Sequence, residues 1–159
     1  MSQNFLTNDD VLDTIISVSE LNDEDVVLEV GPGLGVLTER IAPHVKKLVS
    51  VELDKRLALV AKKELYEFRN VRIIEGDILS SPNQDLLDAL YDRKEAIGPY
   101  KVVANIPYAI TSPILRKFSS EIPGPDMMVF LIQKEVAQRI SAEPGALSVL
   151  GISVQLYGT

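Results

Sequence analysis

Apolar positions along this chain follow two rhythms: short runs of four or five residues, and longer stretches with apolar side chains three and four apart. Thr7-Asn8-Asp9-Asp10 is a capping cluster for a helix carrying Val11, Leu12, Ile15 and Ile16, onto which Phe5 and Leu6 are expected to staple. Polar Asn22-Asp23-Glu24-Asp25 then turns the chain into Val26-Val27-Leu28-Glu29-Val30, a buried strand running into Gly31-Pro32-Gly33-Leu34-Gly35. Residues 37–42 read as a short helix stopped at Pro43, and residues 48–51 as a second strand ending in Glu52-Leu53-Asp54. Residues 56–68 carry Leu57, Val60, Ala61, Leu65 and Phe68 at helical spacing, and residues 71–74 form a third strand closing on Glu75-Gly76-Asp77.

In the second half, Ser81-Pro82 opens a helix through Leu86, Leu87 and Leu90, with a charged loop over 91–100. Residues 101–104 are a fourth strand that delivers Asn105-Ile106-Pro107-Tyr108. Ser112-Pro113 caps a helix over 114–118, and Pro123-Gly124-Pro125 precedes a fifth strand over 127–132. Residues 133–140 read as helix, Glu143-Pro144-Gly145 breaks the chain, and residues 147–156 fit helix or strand equally. Alternating strands and helices of these lengths predict an α/β domain: a mostly parallel sheet with helices on both faces.

Composition narrows the chemistry. The 159 residues suit a single domain. The absence of cysteine excludes disulfides and thiolate metal sites, and a lone histidine, His44, argues against a resident metal. No apolar run approaches a membrane span and no basic-then-apolar leader opens the chain, so a cytoplasmic monomer is expected. The net charge of -7 argues against a broad nucleic-acid-binding face.

Three strand ends carry candidate chemistry. Glycines at 31, 33 and 35 allow close backbone approach to a ligand, and the following helix offers unpaired N–H groups. The spacing is G-x-G-x-G; Val36 stands where a dinucleotide fingerprint wants glycine, which disfavours a nicotinamide-binding oxidoreductase. Glu29, a carboxylate in an apolar strand, needs a partner: either a cationic ligand group or a local contact within a plain tight turn. Glu52 lies about 20 residues beyond the glycines, where an acid reaches ribose hydroxyls in doubly wound folds; a solvated strand end is the other reading. With Asp77 at the next strand end, Gly31, Glu52 and Asp77 should face one crevice. Pro107 biases Ile106 toward an extended backbone, so the Asn105 side chain, the Ile106 carbonyl and the Tyr108 ring suit an amino group on a flat heteroaromatic ring. A simple proline turn with a surface tyrosine is the alternative.

These residues, taken together, resemble the ribosomal RNA adenine dimethyltransferases of the KsgA type. The match includes Gln3-Asn4-Phe5-Leu6, the glycine loop with Glu29, Val51-Glu52-Leu53-Asp54, Gly76-Asp77, Asn105-Ile106-Pro107-Tyr108 with Ser112-Pro113, and Leu131-Ile132-Gln133-Lys134-Glu135-Val136. The resemblance implies a Rossmann-like class I S-adenosylmethionine-dependent methyltransferase domain. It implies cofactor contacts at Gln3, Asn4, Leu6, Glu29, Gly31, Gly33, Glu52, Asp77 and Asn105, with Glu52 on the ribose and Asp77 on the adenine amine. It also implies target-adenine residues at Asn105, Ile106, Pro107 and Tyr108. The implied reaction dimethylates the exocyclic amine of adenosines in small-subunit ribosomal RNA, with that RNA or its ribosomal precursor as partner.

The chain departs from the family pattern in three ways. Only Met1-Ser2 precede the Gln-Asn-Phe-Leu run where a basic segment is usual, and Ala109 replaces a frequent Asn. The family's further hairpin, aromatic target-base loop and small basic helical domain have no counterpart before Thr159, so the chain is expected to be a truncated catalytic domain. Two relatives of that reading stay open, an antibiotic-resistance type of RNA methyltransferase and a non-catalytic assembly or transcription factor retaining the fold.

Overall fold

The structure is a computed structural model that describes residues 8–91, 98–120, 122–143 and 148–155. The expected staple by Phe5 and Leu6, and the sites at Gln3, Asn4 and Leu6, lie outside the described residues.

Helix α1 (Asp9–Val18) starts where Asn8 accepts a 3.0 Å hydrogen bond from the Asp10 N–H, with Asp9 and Asp10 favourably placed in its first turn. Strand β1 (Val26–Val30) leads to α2 (Val36–Ile41), and Pro43 does not stop the chain there: Ala42–His44 continues as a 3-10 turn before β2 (Lys47–Glu52). Helix α3 (Lys55–Glu64) is capped by Asp54, which accepts from the N–H groups of Arg56 and Leu57. It ends four residues before the expected Phe68, because Leu65 and Phe68 fold back as a turn onto the core. Asn70 then donates to the carbonyls of Ala42 and Val45, both at 2.8 Å, and launches β3 (Val71–Glu75).

Helix α4 (Asn83–Leu90) follows Pro82, and β4 (Lys101–Asn105) passes into a 3-10 turn at Tyr108–Ile110. Helix α5 (Thr111–Ser120) grows directly from that turn, so Ser112-Pro113 lies inside its first turn rather than capping it; a proline there removes only an N–H that has no helical acceptor. Strand β5 (Met127–Leu131) and helix α6 (Lys134–Ile140) match expectation to within one residue. The ambiguous segment is helical over α7 (Val149–Gln155), held to the end of α6 by hydrogen bonds from Gln155 Nε2 to the carbonyls of Ile140 and Ala142.

The five strands form one parallel sheet in the order β3-β2-β1-β4-β5. Every residue of β1 is buried, as expected of a central parallel strand covered on both faces. Leu28, Val30, Val49, Val51, Val102 and Ala104 face α4 and α5, whereas Val27, Leu48 and Val103 face α1 and α2. Strand order reverses between β1 and β4. Ligands of open α/β sheets bind at the carboxyl ends of strands beside such a reversal, which here brings the glycine turn next to Asn105-Ile106.

Candidate functional site

The turn after β1 holds three glycines at φ of +67°, +59° and +88°. Their reasons differ. A Cβ on Gly35 would lie 2.9 Å from Leu65 Cδ1, so this glycine seats α2 against α3. A Cβ on Gly31 or Gly33 would meet nothing within 4 Å, so these two face open space where a ligand's atoms can approach the backbone.

Glu52 braces that turn. Its Oε2 accepts from the Gly33 N–H at 3.0 Å and its Oε1 from the Asp54 N–H at 2.9 Å. It is only 3% exposed, which corrects the reading of a solvated strand end. Each carboxylate oxygen keeps a further lone pair for a hydroxyl donor.

Glu29 is 1% exposed, on the same face as Ser50 and Glu52. Its Oε2 accepts from Ser50 Oγ at 2.6 Å and from Thr38 Oγ1 at 2.7 Å, while Oε1 has no partner among the described residues. Burial pushes its carboxyl up to about 7, the two hydroxyls pull it partly back, and the nearby Glu52 charge raises it again. Thr38 and Ser50 escaped the sequence reading. The available signal was register: Ser50 pairs directly with Glu29 once β1 and β2 are aligned.

Asp77 is half-buried beyond β3. Its carboxylate accepts from Ser80 Oγ at 2.7 Å and from the Leu79 N–H at 2.9 Å, contacts that hold its pKa below the usual range, with the Lys117 charge adding to them. Across the switch point, Asn105 ends β4 half-buried. The Ile106 side chain is buried and its N–H donates to the Leu131 carbonyl at 3.1 Å, extending the β4–β5 ladder by one step. No described residue donates to the Ile106 carbonyl, which leaves that acceptor unengaged among them. Pro107 is extended, and Tyr108 is 64% exposed at the start of the 3-10 turn. An open glycine cradle backed by buried acids thus lies beside a half-buried amide and an exposed aromatic face. Among the described residues, no cluster of ligating side chains suits a metal ion and no helix is long and apolar enough to cross a membrane.

Comparison with known proteins gives concordant likenesses. The family model described as ribosomal RNA adenine dimethylase matches residues 1–158. A ribosomal RNA small subunit methyltransferase A from Rippkaea orientalis is 46% identical, covering 93% of this chain and 57% of its own length. One from Dehalococcoides mccartyi is 39% identical, covering 99% of this chain and 52% of its own. The chain therefore spans about half the length of these curated relatives. Among solved structures, a dimethyladenosine transferase from Plasmodium falciparum superposes with a TM-score of 0.77 at 33% identity, covering 96% of this chain and 52% of that one. The 23S rRNA methyltransferase ErmE gives 0.72 at 29% identity, covering 91% and 54%.

Proposed function

The chain belongs to the ribosomal RNA adenine dimethylase family, and from that membership we propose that it is the methyl-transfer domain of an enzyme using S-adenosylmethionine to methylate the exocyclic amine of adenosines in small-subunit ribosomal RNA. The observation that carries the reading is the pairing of an open glycine cradle with an amide, a carbonyl and an aromatic ring at one topological switch point.

The residues suit that cofactor. Gly31 and Gly33 leave room against the backbone, and Glu52 has spare lone pairs for ribose hydroxyls. Asp77, ionised at neutral pH, is an acceptor for an adenine amine. The Glu52 carboxylate gives the cradle a negative field that favours a cationic ligand, with the buried carboxyl of Glu29 on the same face behind it. Gln3, Asn4 and Leu6 complete the set proposed to hold the cofactor. When bound, S-adenosylmethionine supplies an electrophilic methyl group on a positively charged sulfur.

The chain's own part is to position the target. The Asn105 side-chain oxygen and the Ile106 carbonyl accept the two amine hydrogens, which draws the nitrogen toward sp3 geometry and stabilises the positive charge that grows on it. Pro107 fixes the extended backbone that presents both acceptors, and Tyr108 stacks on the adenine ring. With both hydrogens held by Asn105 and Ile106, the amine would present its lone pair for methylation, and its surplus proton would pass to solvent.

Two measurements on the full-length protein test this reading. Calorimetry should show binding of S-adenosylmethionine and not of nicotinamide dinucleotides, and labelled methyl groups should pass to small-subunit RNA rather than large-subunit RNA. Transfer to large-subunit RNA alone would move the assignment to the antibiotic-resistance type. Cofactor binding without any transfer would identify a non-catalytic factor.

A further inference from the structure

Away from the glycine turn, a cavity of about 460 Å³ opens between α5 and the segment after β3, lined by Leu79, Ser112, Pro113, Arg116, Lys117 and Ser120. Ser112, Arg116 and Ser120 recur every four residues and form one ridge of α5, with Pro113 and Lys117 on the ridge beside it. Among the described residues, the ionic part of this lining is cationic, in a chain whose net charge is -7.

Arg116 is exposed and makes no ion pair among the described residues. Lys117 is 8% exposed; its Nζ donates to the Ser81 carbonyl at 2.9 Å, and its charge reaches Asp77. Burial of Lys117 strengthens the pull of its charge on an anion, and Arg116 stands exposed beside it on the same helix. The cavity lining also lies close along the chain to the proposed chemistry: Leu79 follows Asp77 by two residues, and Ser112 follows Tyr108 by four.

We propose that this cavity is a phosphate subsite holding a backbone phosphodiester of the RNA strand next to the target adenosine. The inference rests on the function proposed above. Arg116 offers a planar fork of N–H donors matched to two phosphate oxygens, Ser112 a hydroxyl, and Lys117 a fixed positive charge behind them. Contacts of this kind set the register of a strand without reading its sequence, which is what a site that must present one extruded base requires.

The test compares the full-length protein with Arg116→Gln and Arg116→Lys, using a single-stranded RNA oligonucleotide with one adenosine among pyrimidines at graded salt. Arg116→Gln should weaken binding about threefold to tenfold and reduce the slope of log K against log salt by about 0.7, the share of one phosphate on a single strand. Its KM for RNA should rise, while the single-turnover rate at saturating RNA and the affinity for S-adenosylmethionine stay at parental values. Arg116→Lys should restore the salt slope. An unchanged slope and KM in Arg116→Gln, in a protein that still methylates RNA, overturns the inference alone. Calorimetric binding of inorganic phosphate that Arg116→Gln abolishes, with the RNA slope unchanged, assigns the cavity to a free anion and also overturns it. A parent protein that neither binds RNA nor transfers methyl groups marks failure of the functional reading, and the subsite falls with it.

Discussion

At the amino edge of the sheet, Lys101 Nζ donates to the carbonyls of Ser19 and Glu20 and to the Asp25 carboxylate at 2.8 Å, while Asp25 also accepts from the Asn22 backbone and side chain. At the carboxyl edge the polar groups face the other way. Glu29 keeps an oxygen without a described partner, Gly31 and Gly33 leave room over their α-carbons, and Tyr108 stands exposed. One edge closes on itself and contributes stability; the other holds acceptors and backbone in positions that a ligand can complete. The same five strands serve both ends, so the division of labour comes from loop residues, as is general for parallel α/β domains.

The sharpest way to break the contrast is to disturb a carboxyl-edge residue whose role is packing. Gly35→Ala combines a left-handed backbone with a Cβ 2.9 Å from Leu65, and urea denaturation should show a loss of about 4 kcal/mol. Gly31→Ala meets no neighbour within 4 Å; it should lose only about 1 kcal/mol while abolishing cofactor binding.

A pH series isolates Glu29. The folded carboxyl keeps its proton up to about pH 7, whereas the unfolded chain releases it near 4.5. Between those values the folded state binds more protons, so stability falls as pH rises, by about 3 kcal/mol in all. Glu29→Gln cannot ionise and should remove that slope from denaturation midpoints measured across the same range.

Asn105→Ala tests chemistry in place of stability. Single-turnover methyl transfer should slow on the order of 100-fold or more. Tyr108→Ala should lose roughly 1–3 kcal/mol of base stacking, and Tyr108→Phe much less. The 64% exposure of Tyr108 means that neither change at that residue should move the denaturation midpoint. At the opposite edge, Lys101→Met removes a charged donor and should lower stability by roughly 2 kcal/mol. Methyl-transfer rates at saturating substrate should not change, and a rate loss there would dissolve the contrast between the two edges.

Strand positions were legible in the sequence because parallel strands buried on both faces read as unbroken apolar runs. Helix ends were less so. Leu65 and Phe68 keep helical spacing although the helix stops at Glu64, since periodicity records which side chains reach the core and not the backbone that carries them. The glycine turn and the acids at 52 and 77 could be placed because topology sends strand ends to one edge. The hydroxyls on Glu29 could not. Ser50 lies 21 residues away, and the register that joins them is a property of the sheet rather than of any local pattern. The cationic ridge of α5 was equally silent, since Ser112, Arg116 and Ser120 acquire meaning only once Leu79 closes the space beside them.

The contact among Glu29, Thr38 and Ser50 has a consequence for how such a domain can drift over generations. The three residues sit on β1, α2 and β2, and both hydroxyls end on a single oxygen. Exchange of the acid for an aliphatic residue leaves two buried donors stranded, and loss of either hydroxyl leaves the carboxylate harder to bury. Single substitutions that strip out a partner therefore cost stability, whereas a coordinated replacement of all three need not. Among descendants of a common ancestor, these positions should turn over as a block, at a pace slower than that of the apolar side chains packed around them.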